Sequence, residues 1–153
     1  MPALTEAAWL TRFRAKLGIT AAQDGDMELV TGLLTRMAQG QADFTNTFRA
    51  LAGGNARDQF IDPAVFDAWE KDWRTRLDGE PDPKTAMRRA NPAVIPRNHR
   101  IEEMITMAVA GDYGVFNRLM LVLSRPYEDQ PEHEDLTRPP LPEEVVQATF
   151  CGT

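Results

Sequence analysis

Lys84, Arg88, Arg89, Arg97 and Arg100 fall in a stretch from Pro83 to Ile101 that holds no acidic residue. Guanidinium forks match the oxygens of phosphate and carboxylate. Arg88, Arg89, Arg97 and Arg100 are therefore candidates for contact with a phosphate-bearing ligand or an acidic partner. A competing use is internal. The segment from Pro126 to Gln147 carries Glu128, Asp129, Glu132, Glu134, Asp135, Glu143 and Glu144 against Arg138 alone. Tail carboxylates docked on the basic stretch account for both charge runs without any ligand, and this is the preferred reading. The sole cysteine, Cys151, stands third from the end in Thr149-Phe-Cys-Gly-Thr153. That position suits an exposed, reactive thiol better than a packed one. His133 within Glu132-His-Glu-Asp135 has metal-ligand residue types, but an acidic segment without fixed geometry makes a poor metal site, and no metal is expected.

The standard catalytic constellations do not occur. There is no G-x-x-x-x-G-K-[ST], G-x-G-x-x-G, H-E-x-x-H or G-x-S-x-G, and neither a His-Arg-Asp loop nor an Asp-Phe-Gly triplet. No catalytic residue is assigned to this chain.

The elements that must position these residues are helical. Leu4, Ala7, Ala8, Leu10, Phe13 and Leu17 recur at spacings of three and four, with Gly18 as the stop. A second helix spans about Asp26 to Ala38, with Asp24 or Asp26 as its cap and Leu29, Val30, Leu33, Leu34 and Met37 as its apolar stripe. A third begins at Asp43. Asp62-Pro63 reads as a cap followed by proline at the first helical position. Phe66, Trp69, Trp73 and Leu77 then form an aromatic stripe, read as core rather than as a ligand platform. A short helix from Lys84 to Ala90 stops at Asn91-Pro92. Asn98 is the candidate cap of a helix carrying Ile101, Met104, Ile105, Ala108 and Val109, and Val115 to Leu123 form the last. Gly25-Asp26 and Gly111-Asp112 each precede a similar apolar pattern, which suggests two helices that start alike.

The fold class expected is all-α: six or seven short helices in an irregular bundle over residues 1–123. Residues 124–153 should form an extended proline- and acid-rich tail that wraps the body or a partner. A length of 153 residues suits one domain, and 42% apolar with 26% charged residues is the composition of a globular chain. A net charge of -6 disfavours a general binder of nucleic acid or membrane surfaces. No apolar run is long enough to cross a bilayer, no signal pattern opens the chain, and one cysteine suits a reducing compartment, so a cytoplasmic location is expected.

Several strings together carry a resemblance. Met87-Arg-Arg-Ala-Asn-Pro-Ala-Val-Ile-Pro-Arg-Asn98 resembles the M-x-x-x-N-P-x-x-x-x-R-N segment of the SelO (selenoprotein O, YdiU) family. Asp43-Phe-Thr-Asn-Thr-Phe-Arg49 resembles its D-[YF]-T-x-T-F-R, preceded by a helix of the D-x-x-L-[IV]-x-x-L-L-x-x-M type at Asp26 to Met37. Gly111-Asp112, Arg125-Pro-Tyr127 and the acidic, proline-rich tail continue the match in family order. The resemblance implies the C-terminal helical region of a kinase-like pseudokinase that moves AMP from ATP, with Mg²⁺, onto protein hydroxyls. It implies no ATP or Mg²⁺ site within this chain and a kinase-like domain or chain as partner. Cys151 matches the family's near-terminal selenocysteine or cysteine, although Gly152-Thr153 replace the usual two serines. The expected role is a non-catalytic accessory domain. The alternative is a stand-alone thiol-dependent redox or phosphate- or nucleotide-binding small protein.

Overall fold

The computed structural model describes residues 2–147, with side chains from Thr5 onward. Within them lie seven α-helices and no strand, an all-α fold. They are α1 (Pro2–Lys16), α2 (Asp26–Gln39), α3 (Phe44–Leu51), α4 (Pro63–Leu77), α5 (Pro83–Ala90), α6 (Asn98–Val109) and α7 (Gly114–Leu123). Short 3₁₀ turns occupy Ala56–Gln59, Pro131–Thr137 and Pro142–Glu144. The backbone divides into two compact units, Met1–Pro92 and Ala93–Thr153.

Local chemistry sets the helix starts of the first unit. The carboxylates of Asp43, Asp62 and Asp82 accept from the amides of Asn46 (2.8 Å), Ala64 (3.0 Å) and Thr85 (3.1 Å), each satisfying one amide that has no partner inside its helix. Pro63 and Pro83 fill the first position of α4 and α5, where no amide is needed. At the end of α1, Gly18 adopts φ +79°, and the Ile19 amide turns back to the Arg14 carbonyl at 2.9 Å. A Cβ on Gly18 would meet the Pro83 carbonyl oxygen at 2.8 Å, so the glycine also lets α1 and α5 approach.

The core of this unit gathers Leu17, Val30, Leu33, Phe48, Phe66, Trp69 and Trp73, all buried. Trp69 and Trp73 stack with centroids 5.5 Å apart, and both are core, as their spacing predicts. Each indole N–H still finds an acceptor: Trp69 Nε1 donates to the Leu29 carbonyl (2.8 Å) and Trp73 Nε1 to that of Leu17 (3.0 Å). Asn91, 1% exposed, ties α1 to the end of α5. Its Nδ2 donates to the Lys16 carbonyl at 2.8 Å, and its Oδ1 accepts from Lys16 Nζ at 3.3 Å. Arg49 Nη1 donates to the Asn91 carbonyl at 2.9 Å.

The second unit is built on the α6–α7 pair with a smaller core of Val94, Leu119, Val122 and Leu136. The chain beyond Ser124 belongs to it. The amides of Ala93 and Val94 donate to the Pro126 carbonyl (2.7 and 3.2 Å), and Leu136 enters the core. Buried Gln130 donates through Nε2 to the carbonyls of Val122 (3.1 Å) and Arg125 (3.0 Å), serving the open end of α7.

Two details differ from the sequence expectation. Asn98 is the first residue of α6 rather than its cap; Arg97, extended at ψ 136° after Pro96, holds the cap position. Asp26 is the first residue of α2, not its cap, and its carboxylate is spent on two arginines described below.

Candidate functional site

The candidate arginines fall in both units. Arg88 and Arg89 are exposed on the last turn of α5 in the first unit. Arg97 and Arg100 open α6 in the second, Arg97 buried and Arg100 half-buried. Arg100 Nη2 donates to the Asp135 carbonyl at 3.1 Å, and Nη1 reaches Glu103 Oε2 at 2.8 Å. Asp135 receives a two-pronged bond from Arg118 as well (2.9 and 2.5 Å). The Asp135 carboxylate is therefore gripped by Arg118, which the charge pattern alone did not single out, and comes within 4.0 Å of Arg100 Nη2 in the basic stretch. His133 Nδ1 accepts from Arg118 Nε at 3.2 Å. Among the described residues no group of three or more His, Cys, Asp or Glu side chains could hold a metal ion. Cys151 lies outside the described residues.

Beside α6 runs a cleft of about 290 Å³ lined by Ile95 to His99 on one side and by Pro140, Glu144, Val145 and Val146 on the other. Arg138 grips Glu144 with two bonds, 2.7 and 2.8 Å, and the Leu141 amide adds a third at 2.8 Å. Arg138 above all, then the Leu141 amide, holds the Glu144 carboxyl down to about 2.

The most heavily buried charge lies elsewhere. Asp26 is 1% exposed in the first unit. Its Oδ1 accepts from Arg76 Nε at 2.7 Å, and its Oδ2 from Arg14 Nε at 2.6 Å and the Gln23 amide at 2.9 Å. Burial pushes the carboxyl up, but Arg76, the Gln23 amide and Arg14 outweigh it and hold Asp26 below the ordinary aspartate value. Arg76 also reaches Glu80, which accepts from the Thr20 amide at 2.9 Å. Both carboxylate oxygens of Asp26 are taken up by arginines on two other helices, so the cluster braces the unit.

The surface of the α6–α7 pair is less complete. Ile105 and Val109 on α6, and Phe116 and Met120 on α7, each sit four residues apart on one helical face. They remain 46%, 84%, 41% and 57% exposed, although the neighbouring Met104 and Leu119 turn into the core. Leu121 and Tyr113 add to the apolar surface at 55% and 58%. Single exposed apolar residues are ordinary; here they recur at helical spacing on both helices of a packed pair. The apolar periodicity of α6 and α7 was legible in the sequence; that half of it faces outward was not. Among the described residues no helix is long and apolar enough to cross a membrane.

No family model matches the chain. Its similarity to individual proteins is strong. It is 63% identical over 153 residues to the protein nucleotidyltransferase YdiU of Ruegeria pomeroyi, covering all of this chain and 32% of that protein. The YdiU of Roseobacter denitrificans is 51% identical over 153 residues with the same coverage, and that of Bradyrhizobium diazoefficiens is 46% identical over 164 residues, 99% of this chain and 33% of the protein. The chain spans about a third of the length of these curated relatives. Near-complete alignment at such identity leaves one conclusion: the chain belongs to the YdiU/SelO family, as a portion without the kinase-like part.

Proposed function

We propose that these 153 residues act as a non-catalytic helical accessory domain that docks, through the exposed faces of α6 and α7, on the kinase-like part of a YdiU-type protein. The observation that carries this reading is the pair of apolar stripes, Ile105 with Val109 and Phe116 with Met120, exposed in a chain whose relatives are three times longer. The relatives are named for nucleotidyl transfer, and the sequence of this portion holds none of the constellations that cradle a nucleotide or its metal. In this reading, transfer of AMP from ATP with Mg²⁺ to protein hydroxyls is the work of the other two thirds. The portion described here shapes and stabilises that body, in the cytoplasm.

The division of labour is tested by incubating the chain alone with labelled ATP, Mg²⁺ and a mixture of protein acceptors. The expected result is no label on any protein, the chain itself included. Incorporation of AMP by the chain alone would overturn the accessory reading.

A further inference from the structure

His99 is the second residue of α6 and only 8% exposed, yet neither ring nitrogen has a hydrogen-bond partner. A buried polar atom without a partner costs on the order of 1–3 kcal/mol, so such a group asks for an explanation. The buried Nε of Arg100 is unpartnered too. Both belong to the start of a twelve-residue helix. The amides of Arg100 and Ile101 turn back to the Arg97 carbonyl, each at 3.0 Å, which leaves those of Asn98 and His99 at the open, electropositive end of the helix. His99 and Asn98 line the cleft of about 290 Å³, together with Arg97.

We propose that this cleft binds a small phosphate-bearing molecule, its phosphate held by the Asn98 and His99 amides and the His99 imidazole. Burial first, then the Arg100 charge, keeps His99 below the ordinary histidine value, with Arg138 and Arg97 adding to this and Glu144 opposing it. The ring is therefore neutral at pH 7 and brings an N–H donor without a full charge to desolvate. Helix-start amides and a neutral imidazole at one cleft form a setting for a tetrahedral oxyanion. Ile95, Pro96, Val145 and Val146 give the bound molecule apolar walls. Across the cleft, the Arg138–Glu144 pair holds the Pro140 to Val146 side in place, with the Glu144 carboxylate taken up by Arg138.

The test is an NMR titration of the full 153-residue chain with inorganic phosphate at pH 7 and constant ionic strength, following both imidazoles and the amides of Asn98 and His99. The other histidine, His133, is the internal control. The expected result is a saturable shift at His99 and the two amides in the millimolar range, with His133 unmoved. Acetate or chloride at equal ionic strength should produce at most a tenth of the affinity, and His99→Gln should weaken phosphate about tenfold. No saturable shift at His99, or equal responses to phosphate, acetate and chloride, would overturn the proposal. The wild-type titration decides the matter even if a variant fails to fold.

Discussion

Replacing Asp26 by asparagine removes the charge that two arginines share while keeping the side chain's shape. Asp26 is fully buried as a side chain, whereas Arg14 and Arg76 keep 18% and 12% of theirs in solvent. Removing one partner of a buried pair costs about 3–5 kcal/mol, and the partial solvent access of both arginines places this case at the low end, about 3 kcal/mol. For a unit of this size each kcal/mol moves the melting temperature by roughly 4–8 °C, so D26N should melt roughly 12–24 °C lower. Trp9, Trp69 and Trp73 all lie in the first unit. Urea unfolding followed by tryptophan fluorescence therefore reports on the part that holds Asp26. The variant should lower the midpoint with the slope unchanged. pH supplies a second check. The folded value for Asp26 lies below the unfolded one of about 3.9, so its contribution is complete above that pH and disappears as pH falls through the folded value. Wild type and D26N should accordingly differ at pH 7 and converge in acid. A loss under about 1 kcal/mol at pH 7, or a gap that persists unchanged into acid, would refute the assignment of Asp26 as the brace of this unit.

Three further outcomes follow from the same geometry. Asn91→Ala leaves the Lys16 carbonyl and ammonium without their bonds to Asn91 and should cost about 1–3 kcal/mol in the same urea assay. Gly18→Ala should cost clearly more than Gly54→Ala: both glycines have φ near +80°, but only at Gly18 does a Cβ collide with a neighbour, the Pro83 carbonyl, while at Gly54 it meets open space. Circular-dichroism melts should separate them, with about 1 kcal/mol for the turn geometry alone at Gly54 and about 2–3 kcal/mol at Gly18. Glu144 should titrate near 2, so the pair with Arg138 persists at neutral pH and dissolves only as pH falls toward that value. Carboxyl-carbon NMR should show this midpoint move up toward the ordinary glutamate range in Arg138→Gln.

Much of the helical punctuation was readable because its causes are local. Asp43, Asp62 before Pro63, and Gly18 act within three or four residues of themselves, and the structure has them where their types imply. Asp26 was misread as a cap because its partners lie 12 and 50 residues away, and no spacing rule links an aspartate to arginines on two other helices. The paired Gly-Asp steps show the same limit. Gly25 and Gly111 share φ 90°, yet Asp26 is buried between arginines, while exposed Asp112 accepts from the Gly114 amide at 2.8 Å. The turn is alike and its tertiary use is not. His99 carried no sequence signal: one histidine beside arginines is unremarkable until burial strips its ring of partners. The basic run looked like a single patch along the sequence, but the break after Pro92 assigns Arg88 and Arg89 to one unit and Arg97 and Arg100 to the other.

The accessory reading stands or falls on whether α6 and α7 meet a kinase-like body. The direct measurement is titration calorimetry of this chain against the remaining two thirds of the Ruegeria pomeroyi relative, with wild type compared to a Phe116→Glu, Met120→Glu double variant. Both residues are exposed, so the variant should melt within a few degrees of wild type. One-to-one binding at micromolar affinity or tighter, lost in the double variant, is the predicted result. No association, or equal binding by both chains, would contradict it.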